Sequence, residues 1–187
     1  KYELIRFIGE GGMGQVWEGI HLDMNRRVAV KILHPDNPRS TGSFDALRRE
    51  ARNAASVAQT SIVQIHDIDR TEDGTPFMVM EYLDGQSLDD LLEQRERLPV
   101  EEAIGILVDL LDAIGPIHAR GIVHRDLKPG NVFLCKEEER QVIKILDFGL
   151  SSSSERLDEG GDDAPKVLIG SPPYMSPEVI GGSADAD

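Results

Sequence analysis

Near the middle of the chain stands the run His124-Arg125-Asp126-Leu127-Lys128-Pro129-Gly130-Asn131, followed by Asp147-Phe148-Gly149. Few sequence features constrain a fold as tightly as this pair. Asp126 is a carboxylate able to take a proton from a hydroxyl, while Asn131 and Asp147 are oxygen donors of the kind that hold a hard divalent cation. Alone, Asp126 also reads as a loop carboxylate bonding its own backbone; for the three to act as base and metal ligands, a fold must bring the two runs together. The first run, with its proline and glycine, reads as a loop.

Three further segments precede these two. Gly9-Glu10-Gly11-Gly12-Met13-Gly14-Gln15-Val16 carries glycines at 9, 11 and 14, where backbone N–H groups can approach phosphate oxygens without side-chain obstruction. Alone this run also fits a plain hairpin turn or a dinucleotide fingerprint. The fingerprint needs a helix opening at the glycines, whereas Val16-Trp17-Glu18-Gly19-Ile20 reads as a strand. In Val28-Ala29-Val30-Lys31-Ile32 the alternation sets Ala29 and Lys31 on one face and the larger aliphatics on the other, leaving room for a flat ligand. By itself Lys31 also reads as a solvated lysine, and Glu50 as a surface partner of Arg48, Arg49 or Arg52. Met78-Val79-Met80-Glu81-Tyr82-Leu83 is a further apolar strand.

Taken in this order, and closed by Gly170-Ser171-Pro172-Pro173-Tyr174-Met175-Ser176-Pro177-Glu178, the chain resembles the protein kinases over almost its whole length. The Gly-Gly-Met-Gly wording and the Ser-Pro-Glu ending resemble bacterial serine/threonine kinases of the eukaryotic-like type, and Lys128 fits that specificity. The resemblance implies an α+β, bilobal fold. An antiparallel β-sheet N-lobe with one main helix would comprise residues 1–83 with the hinge, and 84–187 would form an incomplete, mainly helical C-lobe carrying the catalytic and activation loops.

It also implies the roles. Asp126 is the catalytic base, Lys128 neutralises the moving phosphoryl group, and Lys31 binds the α and β phosphates of ATP with Glu50 as its partner. Gly9, Gly11 and Gly14 cover the phosphates. Val16, Ala29 and Phe133 surround adenine, Met80 is the gatekeeper, and backbone groups of Glu81 and Leu83 bind the base. Asn131 and Asp147 hold Mg²⁺. His124 is a packing residue of the loop. His21, His34, His66 and His118 show no shared metal-ligand spacing.

Along the rest of the chain, Tyr2 to Leu33 is β-like around a polar turn at Asp23–Arg26. Ser43 can cap a helix through about Val57. Strands are expected at Ile62–Ile68 and Pro76–Tyr82. Ser87 can cap a short helix through Leu92, and a longer one opening at Pro99 carries Ile104, Leu107, Val108 and Leu111. Pro116 should kink or break that helix.

Composition narrows the partners. A formal charge of −14 argues against non-specific nucleic-acid binding and against docking on an anionic membrane. No apolar run reaches the ~18–20 residues of a membrane span. The lone Cys135 excludes an internal disulfide and favours a reducing, cytoplasmic setting, with membrane anchoring through segments outside the chain left open. The expected partners are proteins offering Ser or Thr, and dimerisation for trans-autophosphorylation stays open.

Regulation departs from the family pattern, because the stretch from Asp147 to Glu178 holds no threonine. Ser151–Ser154 as phosphoacceptors, Asp162 and Asp163 as built-in charge facing Arg125, and an acidic loop doing neither are the three readings. The chain opens at Lys1 and stops at Asp187, where the resemblance implies several more helices. It is therefore expected to be a piece of a kinase domain, the aliphatics of its long helix short of packing partners. The rival readings are a pseudokinase scaffold, which typically lacks one of Lys31, Asp126, Asn131 or Asp147, and a small-molecule kinase, disfavoured by the 171–178 segment.

Overall fold

The computed structural model describes residues 1–11, 14–34, 61–121, 123–124, 126–137, 140–147 and 171–180. The chain forms two compact units, Lys1–Asp84 and Gly85–Asp187. The expected helix from Ser43 to Val57, with Glu50, lies outside the described residues, as do Arg125, Phe148, Gly149, Ser151–Ser154, Asp162 and Asp163.

The first unit is built on an antiparallel sheet of five strands, β1 (Tyr2–Gly11), β2 (Gly14–His21), β3 (Arg26–Leu33), β4 (Ile65–Arg70) and β5 (Pro76–Glu81). They lie in the order β1-β2-β3-β5-β4. Between β2 and β3 the chain turns through Asn25, whose φ of 47° suits an asparagine; the ring Nδ1 of His21 accepts the Met24 N–H at 3.3 Å. Period-two alternation then sorts the faces. Val28, Val30 and Val79 form a buried cluster packed by Tyr2, Ile32 and Phe77, which places the larger aliphatics of β3 on one face as the alternation predicts. β4 starts later than the expected Ile62. Ile62 and Val63 are buried ahead of it, Ile62 in a single bridge outside the β4–β5 ladder.

In the second unit Ser87 caps α1 (Leu88–Arg95). Its Oγ accepts the Asp90 N–H at 3.0 Å, and Asp90 Oδ2 accepts the Ser87 N–H at 3.1 Å. Such reciprocal capping stabilises a helix by about 1 kcal/mol. The 19-residue α2 (Val100–His118) opens at Pro99 and is tied to α1 by Arg95 and Glu102, 2.8 Å apart. It buries Ile106, Ala113, Ile114 and Ile117. The other stripe, Val100, Ile104, Leu107, Val108 and Leu111, is half or more exposed.

Pro116 does not break α2. The helix runs two residues beyond it, and the Ala119 N–H still reaches the Gly115 carbonyl at 3.0 Å. So near the C-terminus the proline removes only the bond that the Asp112 carbonyl would have received, and little helix remains to disrupt.

A small antiparallel sheet of β6 (Gly85–Ser87), β7 (Val132–Glu137) and β8 (Arg140–Ile145) follows, with β7 in the middle. Pro129–Asn131 forms a tight 3-10 turn leading into β7, and Pro177–Ile180 forms the four-residue α3.

Candidate active site

In the second unit the loop before β7 and the end of β8 are stitched together by backbone and buried polar groups. The Leu146 N–H donates to the Asn131 carbonyl at 2.8 Å. His124, buried, spans the two runs. Its Nδ1 accepts the Asp126 N–H at 3.3 Å, so its Nε2–H is left to donate to the Leu146 carbonyl at 3.0 Å. This arrangement uses the neutral ring. Burial pushes the His124 imidazole below its ordinary value, against the opposing pull of the Leu146 carbonyl and the Asp126 and Asp147 carboxylates. Both ring nitrogens of His124 are thus engaged in tying the two runs together, as the packing role implied by the resemblance requires.

Asp126 is buried, and the Asn131 Nδ2 donates to its backbone carbonyl at 2.7 Å, with Asp126 Oδ2 at 3.5 Å. Because the amide nitrogen of Asn131 is engaged there, its Oδ1 is the atom turned to other partners. Lys128 Nζ lies 3.3 Å from Asp126 Oδ2 and donates to the Ser171 hydroxyl at 2.7 Å. Ser171 has no assigned role in the sequence reading. The signal available was a hydroxyl at the head of the Pro172-Pro173-Tyr174 run, but its partner is 43 residues away.

Asp147 sits at φ 51°, a left-handed conformation costing on the order of 1 kcal/mol for a residue with a Cβ. Asp tolerates it better than most residues. The bonds of Asn131 and His124 to its neighbour Leu146 hold the backbone there.

Oxygen is the only donor type that Asn131 and Asp147 offer. No group of three or more His, Cys, Asp or Glu among the described residues could hold a metal. An amide oxygen and one carboxylate, with phosphate and water completing the shell, is the donor set Mg²⁺ accepts.

In the first unit, strand register places the other candidates. Val16, Lys31 and Met78 stand opposite one another on β2, β3 and β5, and Ala29 stands opposite Met80. Opposed residues share a face, so Val16, Ala29, Lys31 and Met80 line one side of the sheet. Lys31 is buried there. Glu81 is fixed twice to Gln64: its N–H donates to the Gln64 carbonyl at 2.9 Å, and its Oε1 accepts the Gln64 N–H at 2.8 Å. Leu83 follows, half-buried. Phe133 is on β7, opposite Lys144 and Ser87.

The three glycines differ physically. A Cβ on Gly14, at φ 153°, would lie 2.0 Å from the Ile32 carbonyl oxygen, so close strand packing alone demands glycine there. A Cβ on Gly9 or Gly11 would meet nothing within 4 Å. Of the three, Gly9 and Gly11 meet no steric requirement from the described residues.

Comparison with known proteins places the chain among relatives of one family. The model of the protein kinase domain matches residues 2–187. The chain is 35% identical over 186 residues to the serine/threonine-protein kinase pkn2 of Myxococcus xanthus, covering 99% of this chain and 22% of that protein. It is 35% identical to the serine/threonine-protein kinase PknB of Mycobacterium leprae, covering 100% of this chain and 30% of that protein. The chain therefore spans less than a third of the length of either relative. Among solved structures, the PknI kinase domain of Mycobacterium tuberculosis superposes with a TM-score of 0.64 at 30% identity, over 81% of this chain and 60% of that one. Rad53 (residues 1–466), in complex with AMP-PNP, gives 0.67 at 29%, over 79% and 39%.

Proposed function

We propose, from the premise that this chain belongs to the protein kinase family, that its protein transfers the γ-phosphoryl group of Mg-ATP to serine or threonine hydroxyls of other proteins. Residues 1–83 are the nucleotide-binding lobe with its hinge, and 84–187 are part of the lobe that holds the acceptor. The observation carrying this reading is the chain Asp126–Lys128–Ser171, with Lys128 at 3.3 Å from Asp126 Oδ2 and 2.7 Å from Ser171 Oγ.

Bound nucleotide with its divalent cation supplies the phosphoryl group and screens the charge that spreads over it. The protein's residues do the rest. Asp126 orients the acceptor hydroxyl and receives its proton as the oxygen–phosphorus bond forms and the bond to the leaving diphosphate breaks. Lys128, anchored by Ser171, offsets negative charge beside Asp126. Lys31 neutralises the α and β phosphates, aided by Glu50. Asn131 and Asp147 are the residues that would hold the cation, and backbone groups of Glu81 and Leu83 would hold the base. Positioning and charge neutralisation carry most of the rate in a transfer of this kind.

The family uses ATP and typically a divalent metal, and no helix among the described residues is long and apolar enough to cross a membrane. Phosphoamino-acid analysis of a protein substrate labelled from Mg-ATP by the full-length protein tests the reading. Phosphoserine or phosphothreonine is expected; label confined to tyrosine or to a small-molecule acceptor would overturn it.

A further inference from the structure

A line of directly opposed residues crosses four strands of the first unit: Arg6 on β1, Glu18 on β2, Ala29 on β3 and Met80 on β5. It shares a face with Lys31, by the two-residue period. At its outer end Glu18 is largely covered and holds two arginines. Its Oε2 accepts from Arg6 Nη2 at 2.8 Å and Nε at 3.2 Å, and its Oε1 lies 4.0 Å from Arg27 Nη1.

Both arginines reach Tyr82, the residue between Glu81 and Leu83. The Arg27 guanidinium stands 4.5 Å over the Tyr82 ring, and Arg6 Nη2 lies 3.5 Å from its hydroxyl, the long limit of a hydrogen bond. One carboxylate therefore orients two cations, and the cations hold the side chain of the connecting segment against the sheet.

We infer that Glu18, Arg27 and Tyr82 form a brace that positions the backbone of Glu81 and Leu83 for adenine. Glu18 is a positioning residue, since it acts through the arginines and Tyr82. The inference rests on the reading of Glu81 and Leu83 as the base-binding segment. A surface ion pair contributes little to stability on its own. Here the pair has a second consequence: it limits how the segment after β5 can move before a ligand arrives, which lowers the ordering cost of binding.

The brace predicts a separation between nucleotide affinity and turnover. Calorimetric titration of the full-length protein with Mg-AMP-PNP should show a Kd raised about three-fold by Glu18→Gln and by Tyr82→Ala, the size expected for a solvent-exposed cation–π contact. Tyr82→Phe, which keeps the ring, should bind like the unaltered protein. Pairing Arg27→Ala with Tyr82→Ala should add nothing to Tyr82→Ala alone. With saturating nucleotide, kcat of Glu18→Gln should be unchanged. In the nucleotide-free protein, amide exchange at Tyr82 to Asp84 should quicken in Glu18→Gln.

Two failures are distinguishable. If the unaltered protein does not bind Mg-AMP-PNP, the base-binding reading itself falls, and the brace with it. If it binds, but Glu18→Gln and Tyr82→Ala bind equally well or only lower the melting temperature, the brace is overturned while the site stands.

Discussion

Lys128 Nζ bridges two groups far apart in sequence, standing 2.7 Å from the Ser171 hydroxyl and 3.3 Å from the Asp126 carboxylate. The lysine is thus held from both sides, and under the proposed function it is the cation that would face the transferred phosphoryl group. Removing the hydroxyl should loosen it. Ser171→Ala is expected to lower kcat about ten-fold, the rate equivalent of one hydrogen bond to a charged group, with the KM for nucleotide little changed. Ser171→Thr should keep most activity. Steady-state kinetics on the two variants check this, and equal rates for Ser171→Ala and the unaltered protein would contradict it.

The glycine-rich run offers a contrast within a few residues. Gly14→Ala would drive a Cβ to 2.0 Å from the Ile32 carbonyl, so β2 and β3 must separate. We expect a loss of about 2 kcal/mol or more, from overpacking against backbone that cannot turn aside. Gly11→Ala meets nothing within 4 Å and should leave the melting temperature near that of the unaltered protein while weakening nucleotide binding. Thermal melts with and without Mg-ATP separate the two.

His124 links the site to pH. In the unfolded chain its ring titrates near 6.5, and burial lowers it in the folded state. Between those two values the unfolded chain binds a proton that the folded one refuses, so stability rises with pH across that window and is lost as pH falls through it. Melting temperature should fall as pH drops below about 6.5, and the fall should be smaller in His124→Gln. An identical pH dependence in the variant would show that His124 does not titrate as its burial requires.

The outer stripe of α2 leaves Ile104, Leu107, Val108 and Leu111 half or more exposed. A patch of that kind drives association. Residues 1–187 alone should therefore self-associate and bind a hydrophobic dye. Replacing Leu107 and Leu111 with lysine should reduce both while shifting the melting temperature by no more than about 2 °C, the usual effect of a surface change. A large loss of stability would mean that these side chains are packed.

Much of the candidate site was legible in the sequence because its residues sit in contiguous runs. Asp126, Lys128 and Asn131 are so close in the chain that one turn with Pro129 nearly fixes their spacing, and the alternation in Val28–Ile32 gave the right faces. What was not legible depended on partners distant in the chain. Ser171 acquires its meaning from Lys128, and Glu18 from Arg6, Arg27 and Tyr82; no periodicity marks either. Gly14 looked like Gly9 and Gly11, although strand packing by itself already requires glycine there. Pro116 does not end its helix, because the cost of a helical proline depends on how many turns remain beyond it.

The most direct test of the central claim is phosphoryl transfer by the full-length protein from γ-labelled Mg-ATP to a serine/threonine protein substrate, with Asp126→Asn measured in parallel. The account predicts transfer by the unaltered protein and its loss by about a thousand-fold or more in the variant, with nucleotide binding retained, because proton acceptance and hydroxyl orientation both reside on that carboxylate. Folded, ATP-binding protein that transfers no phosphate, or an Asp126→Asn variant that transfers it undiminished, would contradict the account.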